Sequence, residues 1–445
     1  MTVRSNQIRV AIIGGGIGGL TFAIALAKER PNTIIDVYEA QTSFSEFGAG
    51  VGLWPRVREV LSAMDLKEDL DRLAPPKDTL KSVEILRGDV PNARPWGSTP
   101  NLTGLHRAEF LKILADRFSA TANCTAHFSK KLVSYEDLPS GPVRLGFSDG
   151  AAAVCDTLIG ADGVKSAVRA TMYNHLADTA ESEEEARKLR THVDPVWAGM
   201  FMYRYLIPRE DLEAVCPGHR SLTMPTEYTT NYITSQGIIS YPVSNGRWIN
   251  TAAMVAKHNL FGSKFNERWA VIVDQEELGK QYNDWEEEGR TLIGLMKSPT
   301  RWAVNSVPDL PTYASRRVAL LGDAAHAMCP YQAVGAGQAI EDGFVLAILL
   351  SQVQDNDRII DALNVYDEVR RPFSQSIQDL SLRTGISLLM NKKGEVALGP
   401  DFEYGELEES SEDFSKLYGW SSTTSVMPDR DRALKRYREL TQIVF

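Results

Sequence analysis

Cysteine is scarce in this 445-residue chain. The four cysteines, at positions 124, 155, 216 and 329, form no CxxC pair and no metal-ligand cluster with histidine. This usage argues against a disulfide framework and a metal site, and it fits a reducing compartment. We therefore expect a cytoplasmic protein without a bound metal, in which each thiol lies in a core or lines a pocket.

Basic charge and long apolar runs are also in short supply. Lys and Arg number 48 against 58 Asp and Glu, a formal charge of −10 that argues against nucleic acid or an anionic membrane as partner. The uncharged stretch Val10 to Ala27 carries five glycines, which would break a membrane-spanning helix, and no cleavage site follows it. We expect no membrane partner and, from the length, two or three domains.

The most informative feature that is present is the segment Gly14-Gly15-Gly16-Ile17-Gly18-Gly19, which follows a predicted buried strand at residues 8–13. Gly14 allows a tight turn, Gly16 lets backbone approach a pyrophosphate, and Gly19 lets the next helix pack on its strand. A second predicted strand ends in Glu39, about 20 residues beyond the glycines, where an acceptor for a ribose hydroxyl is expected. The pattern predicts an adenosine diphosphate moiety at a helix N-terminus.

Two later segments fit the first: Gly160-Ala161-Asp162-Gly163, and Gly322-Asp323-Ala324-Ala325-His326 with its continuation through residues 330–342. In this order the three segments resemble the signatures of the single-component FAD-dependent aromatic hydroxylases, and within them the salicylate hydroxylase group. The similarity extends to about Arg371-Pro372. It implies an α/β fold like that of para-hydroxybenzoate hydroxylase, in which a Rossmann-like FAD-binding domain is interleaved with a β-sheet substrate domain and followed by a helical C-terminal region.

The domain boundaries follow from this resemblance and from the strand pattern. We expect a discontinuous FAD-binding domain made of residues 1–75, 101–175 and 300–355. The substrate-binding β-sheet domain is expected at residues 76–100 and 176–299, since residues 193–255 are rich in Tyr, Thr, Ile and Val. Residues 356–445 are expected to form the C-terminal helical region.

The resemblance also implies which residues hold FAD. Arg107 matches the family arginine near the pyrophosphate, where a bidentate cation suits two phosphate oxygens, although a plain surface arginine is the alternative. Asp162 lies in the turn that the family uses partly for the nicotinamide donor, and Asp323 matches the aspartate that binds the ribityl hydroxyls. The backbone N–H groups of Gly335, Ala336 and Gly337 would face the pyrimidine end of the flavin.

A glycine loop that contains Gly50 and Gly52, within residues 48–52, is the expected flexible neighbour of a flavin that moves between two positions. It leads into a helix predicted to start near Pro55.

Four residues are candidates for substrate binding and catalysis. Arg204 could pair with a carboxylate or phenolate, and Tyr241 could hydrogen-bond a ring hydroxyl; the alternatives are a sheet-edge ion pair and a core tyrosine. The carbonyl of Pro330 is a candidate acceptor for a hydroperoxide proton. Tyr331 stands where relatives often carry histidine, so we expect it to position substrate rather than to act as a base.

The loop departs from the family pattern at one more position, because Ala333 stands where glycine is common. We expect His326 to be a structural histidine rather than a catalytic base.

The activity implied by the resemblance is that of an FAD-dependent monooxygenase. It would use NADH or NADPH and O2 to hydroxylate a small phenolic acid, ortho or ipso, through a flavin C4a-hydroperoxide, and ipso attack would release carbon dioxide. Two alternatives stay open: an oxidase or epoxidising monooxygenase on a non-aromatic substrate, and a binding protein that keeps the flavoprotein fold without turnover. The intact set of Gly14, Glu39 and Asp323 argues against the second alternative.

Overall fold

The computed structural model describes residues 7–45, 50–73, 82–92, 95, 97–100, 102–138, 141–229, 236–388 and 411–441. In chain order its strands are β1 Arg9–Ile13, β2 Ile34–Tyr38, β3 Gly50–Leu53, β4 Glu84–Arg87, β5 Gly97–Ser98, β6 Thr103–His106, β7 Cys124–His127, β8 Leu132–Asp137, β9 Val143–Phe147, β10 Ala152–Cys155, β11 Thr157–Gly160, β12 Val196–Pro208, β13 Thr226–Thr229, β14 Gln236–Val243, β15 Trp248–Ala256, β16 Ala270–Ile272, β17 Thr300–Ser306, β18 Ala314–Ser315 and β19 Val318–Leu320. The helices are α1 Ile17–Glu29, α2 Pro55–Ala63, α3 Lys67–Leu73, α4 Arg107–Ser119, α5 Ala167–Asp178, α6 Glu183–Arg190, α7 Arg209–Val215, α8 Gln275–Gly279, α9 Glu287–Leu295, α10 Asp323–His326, α11 Gly335–Ser351, α12 Ile359–Leu388, α13 Ser411–Thr423 and α14 Met427–Thr441.

The first sheet has six strands in the order β18-β19-β11-β1-β2-β7, parallel except for β18. Its register places the last residues of four strands in one row, since Ile13 pairs with both Tyr38 and Gly160, and Gly160 pairs with Leu320. Carboxyl ends of parallel strands therefore meet at one edge, which is where ligands bind in open α/β sheets. The three glycine-containing segments of the sequence all begin at this edge.

Helices α1 and α11 pack closely over the first sheet. A Cβ added to Gly343 of α11 would lie 3.0 Å from the backbone nitrogen of Phe22 in α1, so the small residue lets the two helices approach. Their apolar residues join one large core with the strands of the first sheet. As a result the N-termini of both helices point to the same edge of that sheet.

The second sheet has eight strands in the order β16-β17-β12-β15-β14-β13-β4-β5, antiparallel except between β13 and β4. One face packs against helices α7, α8 and α9 through a core that includes Tyr203, Leu212 and Leu292. The opposite face contacts α12 and α13 through a core that includes Met200, Ile377 and Tyr418. The smaller sheets are β8-β9-β10 and the pair β3-β6.

This architecture confirms the predicted fold class, but it moves several expected boundaries. β17 was expected in the FAD-binding domain that resumes at residue 300, and it lies instead inside the second sheet, paired with β12. Leu189 and Val193 fall within the expected substrate domain, yet they pack against the first core. The described C-terminal helices do not form a core of their own, because Tyr366 and Tyr437 are buried in the first core.

The expected glycine loop is only partly described. Positions 46–49 lie outside the described residues, whereas Gly50 and Gly52 belong to strand β3, where they pair with His106 and Gly104. The loop interpretation is therefore wrong for these two glycines, since a strand pairing holds both of them. The helix predicted near Pro55 is α2, with proline at its first position.

Candidate cofactor and active site

A cavity of ≈ 860 Å³ opens at the strand-end edge of the first sheet and extends to the second sheet. All three sequence segments contribute to its walls, and so do most of the predicted site residues. The predicted residues that line it are Gly14, Gly16, Glu39, Gly50, Gly52, Arg107, Asp162, Arg204, Tyr241, Asp323, Pro330, Gly335 and Ala336. The fold thus brings together residues that are more than 300 positions apart in the chain.

The first glycine segment forms a turn that only glycine fits. Gly14 has φ +104°, and a Cβ there would lie 2.3 Å from the carbonyl oxygen of Ala161. A Cβ on Gly16 would meet nothing within 4 Å, which leaves open space above the N-terminus of α1. Gly19 does not line the cavity; its missing Cβ lets α1 pack against the carbonyl oxygen of Gly14. This is a cradle for a phosphate group, with backbone on one side and space on the other.

Glu39 stands at the end of β2 beside this cradle. One carboxylate oxygen accepts the N–H of Gly15 and the other accepts the N–H of Gln41, both at 2.8 Å. Arg107 begins α4 directly after β6 and lines the cavity from the other side. The carboxylate is thereby fixed in position for a ribose hydroxyl, and a guanidinium lies within the same cavity as the phosphate cradle.

The side chain of Asp162 is hydrogen-bonded within the protein, whereas the side chain of Asp323 is exposed. The carboxylate of Asp162 accepts hydrogen bonds from Ser166 Oγ at 2.5 Å and from the N–H of Ala167 at 2.7 Å, so it also holds the N-terminus of α5. Asp323 begins α10 and its side chain is exposed within the cavity wall. A solvated carboxylate inside a concave site is well placed to bind ligand hydroxyls.

The N-terminus of α11 closes the cavity beside Asp323. Gly335 and Ala336 line the cavity, and the first N–H groups of a helix have no partner within it. Gly337 does not line the cavity, and its missing Cβ accommodates Val57 of α2. Ala333 lies two residues before the start of α11 and has left-handed backbone angles, φ 53° and ψ 37°, which are unfavourable for a residue with a Cβ.

The second sheet contributes a regular patch of side chains to the cavity. Its register places Arg204 beside Ala252 and Ala252 beside Ile239, and it places Asn250 beside Tyr241. Because side chains alternate along a strand, these residues share one face of the sheet. The patch combines small or apolar groups with a guanidinium, a phenol and an amide.

Tyr241 is held close to strands β3 and β6. A Cβ on Gly50 would lie 1.8 Å from Tyr241 Oη, and a Cβ on Gly104 would lie 3.0 Å from the ring. Burial raises the pKa of Tyr241 to about 12, although the positive charge of Arg204 opposes this shift. The phenol is therefore protonated at neutral pH and can donate a hydrogen bond.

Asn250 was missed at the level of sequence. Its Oδ1 accepts the N–H of Gly50 at 2.8 Å, and the residue lines the cavity with only 5% exposure. An asparagine within a β-rich stretch carries no motif, so only the strand register reveals that it links the second sheet to β3 beside Tyr241.

The structure places Tyr331 outside the cavity, contrary to the expectation for its side chain. The ring packs against Gly385 of α12, and the hydroxyl donates to Met200 Sδ at 2.9 Å. Tyr331 is buried in the core between α12, α13 and the second sheet. A direct substrate contact by this tyrosine is therefore not supported by its position.

His326 is fully buried and bonds a side chain rather than the backbone. Its Nε2 lies 2.5 Å from Asp342 Oδ2, and Asp342 Oδ1 accepts a hydrogen bond from Arg370 Nε at 2.8 Å. Burial alone would raise the pKa of Asp342, but the charges of His326 and Arg370 outweigh it and lower the pKa to about 2. Arg370 also pairs with Glu341, which in turn pairs with Arg56 of α2.

This buried ionic network was not anticipated from the sequence, because its members come from four separate segments. It fixes α10, α11, α12 and α2 relative to one another beneath the cavity. His326 is therefore part of the scaffold.

The geometry fits FAD: a phosphate cradle, a fixed acid for a ribose, an exposed carboxylate and a helix N-terminus line one continuous cavity. Together the fold and the site define the class of FAD-binding α/β proteins. The FAD binding domain family model matches residues 7–237 and 284–381, and the chain belongs to this family.

Comparison with known proteins gives the more specific relationship. FAD-dependent monooxygenase str9 of Strobilurus tenacellus is 31% identical over 421 residues, which cover 87% of this chain and 90% of the relative. A salicylate hydroxylase of Pseudomonas putida is 31% identical over 397 residues, with coverage of 86% and 87%. The solved structure of a salicylate hydroxylase substrate complex superposes with a TM-score of 0.76, 26% identity and coverage of 97% and 98%. The protein is thus an FAD-dependent monooxygenase of the salicylate hydroxylase type.

Among the described residues, no helix is both long enough and apolar enough to cross a membrane.

Proposed function

We propose that this monooxygenase hydroxylates a small phenolic acid of the salicylate or hydroxybenzoate kind, ortho or ipso, with NADH or NADPH and O2 as co-substrates. Ipso attack at the carbon that bears the carboxylate releases carbon dioxide. The observation that carries the proposal is that Arg204 and Tyr241 line the same cavity as Gly14 and Asp323. A cation and a phenolic donor therefore stand within the enclosure that fits the flavin.

The chemistry that bound FAD supplies is acceptance of hydride from a nicotinamide donor and subsequent activation of O2. The residues that would hold it follow from their positions in the cavity. Gly16 and Arg107 would bind the pyrophosphate, and Glu39 would bind the adenosine ribose. Asp323 would bind the ribityl hydroxyls, and the N-terminus of α11 would stabilise the electron-rich end of the ring.

Arg204 and Tyr241 bind different groups of the substrate. Arg204 pairs with the carboxylate, because a guanidinium offers two parallel N–H groups to two oxygens. Tyr241 stays protonated and donates a hydrogen bond to the phenolic oxygen of the substrate, which favours ionisation of that oxygen. Ionisation raises the electron density of the ring at the carbon that is attacked.

The remaining lining restricts water. The substrate end of the cavity is lined by the apolar side chains of Val83, Leu102, Met202, Ile239 and Met328. A close-fitting apolar enclosure prevents loss of the activated oxygen as hydrogen peroxide.

Pro330 lines the same cavity. Its carbonyl oxygen accepts the N–H of Ala333 at 2.9 Å, and the second lone pair of that oxygen is the proposed acceptor at the site of oxygen transfer.

The test is a panel of hydroxybenzoates, salicylate included, scored with NADH and with NADPH for nicotinamide oxidation, O2 uptake, peroxide and product mass. We expect at least one phenolic acid to stimulate nicotinamide oxidation and to gain one oxygen atom from O2. Complete release of peroxide with every phenolic acid would overturn the proposal.

Arg204→Ala tests the carboxylate pairing. A charged hydrogen bond contributes about 1.5–3 kcal/mol, so we expect substrate affinity to fall by roughly 10- to 150-fold. Arg209→Ala is the matched control, since Arg209 lies on α7 and pairs with Glu213 at the surface. Unchanged affinity in Arg204→Ala would remove the carboxylate assignment.

A further inference from the structure

Gln332 lies in the loop before α11 and is 1% exposed, yet it does not line the cavity. All of its polar atoms are paired with groups from distant segments. The backbone N–H of Gln332 donates to Ser381 Oγ at 3.3 Å, and its backbone carbonyl accepts from Trp54 Nε1 at 3.0 Å. The side-chain oxygen Oε1 accepts from Trp420 Nε1 at 3.0 Å. The side-chain nitrogen Nε2 donates to Thr384 Oγ1 at 2.8 Å and to the Leu417 carbonyl at 2.9 Å. Gln332 is therefore the centre of a hydrogen-bond network that joins the loop to α12 and α13.

The neighbouring loop residues are held in the same way. Ser381 Oγ donates to the Cys329 carbonyl at 2.6 Å, and Tyr418 Oη donates to the Tyr331 carbonyl at 3.0 Å. The loop thus has two sides. Its inner side, with Cys329, Pro330 and Ala333, lines the cavity, while its outer side is bonded to helices that the cavity does not touch.

The conformation of this loop needs such external support. Ala333 adopts left-handed backbone angles, and such strain persists only where the surrounding structure determines the conformation. Buried polar groups that lose their partners are costly, so the loop cannot shift unless several of these hydrogen bonds break together. The outer network is therefore able to set where the Pro330 carbonyl and the N-terminus of α11 lie.

We propose that Gln332 is a positioning residue through which α13 fixes the loop formed by residues 329–333, and that this network determines how much activated oxygen reaches the substrate rather than escaping as peroxide. The effect on peroxide release rests on the proposed function of the enzyme. The positioning of the loop by Gln332 does not depend on that function.

Trp420→Phe tests the proposal, because it removes one N–H donor to Gln332 and keeps an aromatic ring. Thr384→Val is a second variant that removes a partner from the opposite side, on α12. Both are compared with the wild type at equal FAD occupancy. Loss of one hydrogen bond should raise amide exchange within residues 329–334 about fivefold. It should also raise the fraction of nicotinamide oxidation that ends as peroxide, with FAD affinity little changed.

Val426→Ala is the matched control. Val426 is fully buried between α13 and α14 but has no contact with Gln332 in this network, so its truncation should lower thermal stability without changing exchange in the loop or peroxide release. Equal exchange and equal peroxide fractions in Trp420→Phe, Thr384→Val and Val426→Ala would overturn the proposal. If the wild type hydroxylates no compound of the panel, the proposed function fails, and the exchange measurement still decides whether Gln332 fixes the loop.

Discussion

The hydroxyl of Tyr241 lies where a side chain on Gly50 would begin, since a Cβ added to Gly50 would be 1.8 Å from Tyr241 Oη. Gly50 is held there by its N–H bond to Asn250 and by pairing with His106. Strand β3 and the phenol therefore determine each other's position at the substrate end of the cavity.

Gly50→Ala should displace the Tyr241 ring from the cavity wall. Because a misplacement of about 1 Å in a positioning group can cost roughly 100-fold, we expect kcat/KM for the phenolic substrate to fall by about that factor, with FAD still bound. Steady-state kinetics and flavin content measure the two effects. Gly146→Ala in β9 is the control, because a Cβ there meets its nearest atom at an ordinary 3.8 Å. Wild-type kinetics in Gly50→Ala would show that Tyr241 does not contact substrate.

Tyr241→Phe should lower kcat/KM about tenfold at every pH from about 6 to 9 without moving the midpoints of the pH profile. The reason is that burial raises the pKa of Tyr241 to about 12, so the hydroxyl remains protonated throughout this range and is lost as a donor only at higher pH. Tyr203→Phe, on the opposite face of the same sheet, should leave the profile unchanged. A midpoint that disappears only in Tyr241→Phe would contradict the assignment as a neutral donor.

Ala333→Gly should stabilise the protein by about 1 kcal/mol, because glycine adopts left-handed angles without the steric cost of a Cβ. Chemical denaturation of the FAD-loaded protein measures the change. Ala327→Gly should instead destabilise by about 0.5–1 kcal/mol, since Ala327 has an ordinary φ of −51°. A loss of stability in both variants would mean that the greater conformational freedom of glycine in the unfolded chain outweighs the relief of backbone strain at position 333.

Arg370→Met should destabilise the fold by about 3–5 kcal/mol, because it leaves the carboxylates of Asp342 and Glu341 buried without their shared cation. The neighbouring Arg371→Met is the control; its side chain is partly exposed and pairs with Asp367, so the expected loss is below about 1 kcal/mol. The free energy of unfolding from denaturant titration distinguishes them. Similar losses would show that the buried network contributes little more than a surface pair.

Much of the cofactor side could be predicted from local sequence. A strand, a glycine turn, a helix and an acid are contiguous, so residues 8–39 carry their own geometry, and parallel pairing then brings Asp162 and Asp323 to the same edge. The second sheet was less accessible, because nothing in the local sequence of β17 indicates which sheet this strand joins. For that reason the boundary expected at residue 300 falls at the start of a strand that belongs to the second sheet.

In the loop before α11, the sequence did not predict the direction of the side chains. The motif identified the loop, but the direction of the Tyr331 side chain depends on Gly385 and Met200, which are distant in the chain. Likewise, no sequence motif near Asn250 or Gln332 indicates the role of either residue, because each acts through partners that only the fold brings together.

The order of the chain gives the Gln332 network a consequence for biosynthesis. Trp420 lies 88 residues after Gln332, so a nascent chain that ends before α13 has the glycine turns, Asp323 and α11 but lacks two partners of this glutamine. The loop at the flavin therefore gains these two hydrogen bonds only after α13 has been synthesised. A chain that is truncated before α13 would therefore keep the residues that line the cavity but have a loop without two of its supporting hydrogen bonds.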